Sequence, residues 1–363
     1  MKKTLVALAA LAVVGAASAQ STVTIYGALD ASYSYMSSGD LSASKLTSSQ
    51  LGSSKLGFMG TEDLGGGLKA NFKIEGGLNN DTGAGKATST NNQASGASST
   101  QAGLTFQRFS YVGLSGGFGE LRLGRDYVNT FLQAQAAVDP FGTNGPADST
   151  QMMLLGGAAT GVRTIVNASN IIGYSTPDMS GFGANLQVFM GENNQGGVGA
   201  NDDGSGYSIL AKYAKGPLFA SIAQQQTKYT QTAGLGDYTL FAASASYNFG
   251  PATAVATYAS EKIAATTELK NDSFLVGVIV PMGAANFKAS YITAKNNLQG
   301  GTDRNGSLIG LGVDYALSKR TTAYATWAGV SNNDGGSLYS TGISDGKADN
   351  SSSNFAIGVK HNF

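Results

Sequence analysis

The sequence predicts an all-β fold: a transmembrane antiparallel β-barrel of 16 strands. Three observations carry that expectation. Apolar and polar residues alternate with period two through nearly the whole chain. The connections alternate between short Gly/Pro/Asp turns and long Gly/Ser/Asn loops. After residue 20, no run approaches the ~18 to 20 apolar residues that a membrane-crossing helix needs.

The first twenty residues, MKKTLVALAALAVVGAASAQ, read as an export leader. Lys2 and Lys3 are its basic region, Leu5 to Val14 its apolar region, and Ala17-Ser18-Ala19 its cleavage site. Residues 21–363 are then expected to form a single domain, because the pattern does not change character anywhere along them. Only 13% of residues are charged and 42% are hydrophobic, a low charge for a soluble domain. The formal net charge is zero, so no nucleic-acid partner is suggested. Losing two lysines with the leader leaves the mature chain slightly acidic. An exported chain without cysteine has no disulfides and must rely on hydrogen-bond closure and burial.

The first strand is VTIYGALDASYSY, residues 23–35. Val23, Ile25, Leu29, Tyr33 and Tyr35 share one face; Thr24, Tyr26, Asp30, Ser32 and Ser34 share the other. The next hairpin, KLGFMGTEDLGGGLKANFKIEGG, puts Leu56, Phe58, Ala70, Phe72 and Ile74 on one face and Lys55, Lys69, Asn71, Lys73 and Glu75 on the other. Short turns are expected at 62–67, 115–119, 177–183, 215–217, 249–251, 280–284 and 317–320. Long loops are expected at 37–54, 79–103, 126–162, 191–205, 227–236, 260–270, 295–305 and 331–353. These fifteen connections join sixteen strands. Strict alternation puts all short turns at one end, and an even number of antiparallel strands can close without an edge. Lipid demands closure, since each unpaired backbone group there costs several kcal/mol. Together these features are the signature of an outer-membrane barrel, with its apolar face turned to lipid. Phe355, Ile357, Val359, His361 and Phe363 share a parity, and the chain ends on Phe363. A C-terminal aromatic on a final strand is the expected signal for the barrel-assembly machinery.

The stretches STVTIYGALDASYSY, KLGFMGTEDLGGGLKANF and RFSYVGLSGGFGELRLGRDY resemble the first strand and the second and third hairpins of the trimeric Gram-negative general porins. The resemblance covers the mature chain, with poor agreement in the loops. It implies a homotrimer in outer-membrane lipid and passive diffusion of small hydrophilic solutes and ions, with no cofactor. It also implies that the third long loop, 126–162, folds into the lumen as the constriction.

A charge filter needs fixed cations and anions facing each other across a narrow gap. Lys55 and Arg108 each begin a cation–apolar–small–aromatic–apolar–Gly run. If Phe58 and Tyr111 face lipid, both cations face the lumen, and so do Met59 and Val112. Both cations match basic wall positions of the family. Arg122, between Leu121 and Leu123, is inward by parity, as are Lys73 and Glu75. Arg125 has the opposite parity and is expected to leave the sheet or anchor the loop. The family's third wall arginine falls on Asn167, counted back from Tyr174; Arg163, four residues earlier, is a possible substitute. The opposing acids are sought in the loop. Asp139, in Asp139-Pro140-Phe141-Gly142, and Asp148 are the candidates; both could instead be Asx-turn residues tied to local backbone. Residues 128–137, VNTFLQAQAA, could make a short helix.

An enzyme is poorly supplied: no Cys and a single His, His361, leave little for metal ligation or Ser–His catalysis. The expected function is a general diffusion channel with a mild lean toward anions. A substrate-selective channel on the same barrel, and an exported β-sandwich binding protein or adhesin, are the alternatives.

Overall fold

A computed structural model describes residues 22–363 except 90–91, 94–97, 100–102, 155–161, 193–201, 230–234, 266–267, 299–300 and 302. The expected leader, residues 1–20, lies outside the described residues. Among the described residues no helix is long and apolar enough to cross a membrane.

The barrel wall is built from β1 (Thr22–Ser38), β2 (Leu41–Ser48), β3 (Lys55–Gly65), β4 (Leu68–Asn79), β5 (Phe109–Gly116), β6 (Gly119–Tyr127), β7 (Asn167–Ser175) and β8 (Phe182–Phe189). It continues with β9 (Gly206–Lys215), β10 (Leu218–Thr227), β11 (Tyr238–Asn248), β12 (Thr253–Ile263), β13 (Leu269–Met282), β14 (Ala285–Leu298), β15 (Arg304–Ala316), β16 (Thr321–Asn333) and β17 (Ser351–Asn362). β2 and β3 are in line: β1 pairs with both, Met36 opposite Ala43 and Ile25 opposite Phe58. They count as one stave, so sixteen staves stand in the wall, each antiparallel to its neighbours. β17 pairs back onto β1, with Tyr33 opposite Ile357, and the sheet closes. Phe363 completes the seam: its N–H donates to the Gly27 carbonyl at 3.1 Å, and Gly27 N–H donates to the Phe363 carbonyl at 3.0 Å. Closure of this kind rules out the sandwich alternative.

The two faces have opposite chemistry. Outside stand Val23, Ile25, Leu29, Tyr33, Ile222, Leu311, Ile357 and Val359, all large, apolar and exposed. Inside, on the other parity, Asp30, Ser32, Ser34, Ser208, Gln225 and Ser244 are buried. A water-soluble chain would not spread so much apolar surface over its exterior. In lipid the arrangement is the stable one.

One expected loop is largely strand. Of 37–54, Leu41–Ser48 pairs with β1 through a tight turn at Gly39-Asp40, and only 49–54 leaves the ladder. Its Ser-rich composition reads as loop, yet small hydroxyl side chains suit a wet inner face equally well. The loop 79–103 likewise carries paired pieces, Leu78 opposite Gly85 and Thr88 opposite Ser99. The segment 128–137 does coil, as a π-helical stretch over Thr130–Gln135, and a single helical turn follows at Thr150–Met153.

The lumen and its candidate constriction

Four side chains converge on Glu75, whose carboxylate is 1% exposed. Arg108 Nε lies 2.5 Å from Oε1, Lys55 Nζ 3.6 Å and Lys73 Nζ 3.9 Å from Oε2. The Tyr26 hydroxyl donates to Oε2 at 2.7 Å. Strand geometry brings them together: Lys73 is two residues from Glu75 on the same face, and Gly57, two residues from Lys55, is opposite Glu75. Glu75 therefore sits on the same wall as the cations and beneath them. It does not face them across the lumen. Lys73 Nζ also rests 3.7 Å from the Phe109 ring centroid, a cation–π contact.

Arg108 reaches this cluster by a route that parity does not describe. Tyr111 is opposite Lys73 and shares its inward face, while Val112 is 56% exposed on the outside. The expectation for Tyr111 and Val112 is thus reversed. Arg108 precedes the first residue of β5, so the alternation does not bind it. Its N–H donates to the Glu75 carbonyl at 3.1 Å, and that bond turns its side chain in. Arg122 is inward, clamped by Glu120 at 2.8 Å and Asp126 at 3.0 Å, with its guanidinium 4.6 Å from the Tyr111 centroid. It lines a cavity of about 370 Å³ with Lys212 and Gln133. Arg125 stays in β6, opposite Ser110, and links the segment before β5 to β7, donating to Gln107 O at 2.6 Å and Ser169 Oγ at 2.7 Å.

Asn167 does not stand in the basic ladder. A bulge between Ala168 and Ile171, with Asn170 at φ 58°, breaks the count back from Tyr174. The Asn167 amide instead donates to the Arg108 carbonyl at 3.0 Å and props that residue. Arg163 precedes β7, and its backbone N–H donates to the Tyr229 hydroxyl at 3.0 Å.

Residues 128–154 run along the inner wall. Asn129 N–H donates to Ser208 Oγ at 3.2 Å, Thr130 Oγ1 to Gln225 at 2.7 Å, and Ser244 Oγ to the Ala134 carbonyl. Further along, Asn271 Nδ2 donates to the Met152 carbonyl at 2.9 Å. Phe141, 4% exposed, fills the space left by Gly310 and Gly312: a Cβ at Gly312 would stand 2.7 Å from its ring. The two loop acids differ. Asp139 is buried and spends its carboxylate on the N–H groups of Phe141 (2.8 Å), Thr143 (3.2 Å) and Ser149 (3.3 Å). It organises the loop and does not face the lumen, the Asx-type alternative. Asp148 accepts from Thr150 N–H and Oγ1 yet still lines a cavity of about 480 Å³, together with Arg108, Lys86, Gln50 and Asn144. Burial pushes the Asp148 carboxyl up to about 6, with neighbouring Asp139 adding to the shift. Lys86 was not legible as a lumen cation: it lies in the Gly/Ser/Asn-rich stretch 79–103, where no alternation assigns a face.

A closed sixteen-stave barrel with an apolar exterior and a wet, charged lumen defines an outer-membrane diffusion channel. The chain belongs to the Gram-negative porin family, which matches it over residues 4–336. It is 34% identical to outer membrane porin protein 32 of Delftia acidovorans over 380 residues, covering 100% of both chains. It is 28% identical to an outer membrane porin protein of Bordetella pertussis, covering 90% of this chain and 93% of the other. Among solved structures it is similar to an anion-selective porin from Comamonas acidovorans. That likeness has a TM-score of 0.79 at 30% identity, over 95% of this chain and 100% of that one. The protein is a general diffusion porin of the Gram-negative outer membrane, a channel by family.

Proposed function

We propose that the channel passes small hydrophilic solutes with a mild preference for anions. Residues 126–162 set its narrowest point. One observation carries the reading: Lys86 and Arg108 line the 480 Å³ cavity against a single loop carboxylate, Asp148. Lys55 and Lys73 add positive charge behind them, while Glu75 neutralises part of it. Residues 21–363 act as one barrel domain, and Phe363 serves as the signal to the assembly machinery. A trimer form is named for a structure of the same fold, OmpT of Vibrio cholerae, at TM-score 0.64 and 18% identity. We extend a homotrimer to this chain.

The test is the reversal potential of single channels in a salt gradient. The native protein is expected to favour anions, and Arg108→Glu to move the ratio toward cations by about tenfold, about 1.4 kcal/mol. Strong cation selectivity of the native pore would overturn the reading. A saturable, solute-specific conductance block would favour the substrate-selective alternative.

The same measurement has a pH dependence. The Asp148 carboxyl, raised to about 6, is charged above that pH and neutral below it. Acidification from pH 7.5 to 5 therefore removes the Asp148 charge from the cavity and should strengthen anion preference. The step should centre near pH 6 and vanish in Asp148→Asn. A step that persists in that variant would assign the titration elsewhere.

A further inference from the structure

The interruption between β2 and β3, residues 49–54, is built too firmly to be slack in the ladder. Asp30, 0% exposed, gives its carboxylate to Leu51 N–H at 2.6 Å, Gly52 N–H at 2.8 Å and the Tyr324 hydroxyl at 2.5 Å. Asp30 N–H donates to Ser54 Oγ at 2.9 Å, and Ser54 N–H donates to Ser49 Oγ at 2.9 Å. Ser49 is held at φ 66°, a left-handed conformation that a serine adopts only where its surroundings impose it. A buried carboxylate is costly unless hydrogen-bonded, and here two of its three bonds come from backbone that has left the sheet, the third from Tyr324 on β16.

The lumen side of this segment meets the tip of the loop 126–162. Ser53 Oγ donates to Asn144 Oδ1 at 3.1 Å. Gly145, at φ 75°, lies against the Gln50 carbonyl so closely that a Cβ would stand 2.1 Å from that oxygen. The far side of the tip is docked at Gly310 and Gly312 through Phe141. The loop thus touches β9, β10, β11, β13 and β15 in turn and ends on the 49–54 segment. The cationic staves between β3 and β6 stand across the remaining gap.

We propose that residues 49–54, braced by Asp30, are the seat that fixes the tip of the constriction loop and keeps the open pore at one size. This rests on the reading of 126–162 as the constriction. A seated loop has one position and a steady current. An unseated tip samples several positions and gives flicker, substates and closure at lower voltage.

The experiment is planar-bilayer recording of the full-length porin, its folding checked by heat-modifiable gel migration. Ser53→Ala with Asn144→Ala, and separately Gly145→Val, should raise open-channel noise severalfold and lower the closing voltage. In this cysteine-free chain, Ser53→Cys with Asn144→Cys should form a disulfide when oxidised and record as quietly as the native pore. Reduction should bring back the flicker. The proposal is overturned if the alanine pair and Gly145→Val record like native, or if the two cysteines do not couple in the folded barrel. The Arg108→Glu and Asp148→Asn reversal potentials separate the two levels. Shifted potentials with quiet seat variants sink the seat alone. Unshifted potentials sink the constriction reading itself.

Discussion

Glu75→Gln should raise the anion-over-cation permeability ratio about threefold to tenfold, roughly 0.7 to 1.4 kcal/mol. The variant keeps the shape of the side chain and removes the one carboxylate shared by Lys55, Lys73 and Arg108. At about 8 Å a unit charge acts with about 0.5 kcal/mol in bulk water and about 2 kcal/mol at an effective dielectric near 20. Salt in the lumen trims the upper value. The reversal potential in a salt gradient reads the change, and gel migration confirms the fold. If the ratio falls or stays at the native value, Glu75 is not the brake on the cationic wall. The direction is informative because a carboxylate facing the cations across the gap would also act as a binding partner for passing cations. Here it lies beneath its own wall and acts by neutralisation.

Gly312→Leu should release the loop that narrows the pore. Phe141 occupies the space where the new side chain must go, with Ala147 packed at the neighbouring Gly310. Expelling a buried Phe forfeits about 2 to 3 kcal/mol of apolar burial, a large share of what holds a loop on a wall. Gly312 lies in the middle of β15, so the barrel ladder itself has no need of a glycine there. The expected result is a higher single-channel conductance, more open-channel noise and faster proteolysis within 128–154. A variant with native conductance and native protease resistance would show that Phe141 in its socket does not hold the loop.

Much of the wall was legible from local pattern. Lys55, Lys73, Glu75 and Arg122 are inside because residues two apart share a face, and the register confirms the faces of β3, β4 and β6. The pattern misled where the ladder starts or slips. Tyr111 and Val112 have their faces exchanged, and Arg108 is inside although it stands one residue before β5 and outside the alternation; Asn167 stands beyond a bulge that breaks the count back from Tyr174. The stretch 41–48 looked like loop because serine is equally at home in a turn and on a hydrated inner face. Asp139 and Asp148 could not be told apart in sequence. Each is an acid in a polar loop, and only the backbone around Asp139 shows its carboxylate already consumed by three N–H groups.

The sequence by itself determined the barrel, its closure and which face meets lipid. Those follow from period-two alternation and from the high cost of unpaired backbone in hydrocarbon, both of which act on every residue locally. The tertiary structure alone decided which charges share a partner and where the loop comes to rest. Asp30 finds Tyr324 across 294 positions of sequence, and Ser53 finds Asn144 across 91. Contacts at such separation arise only once the sheet has closed and the loop has been laid along its inner wall.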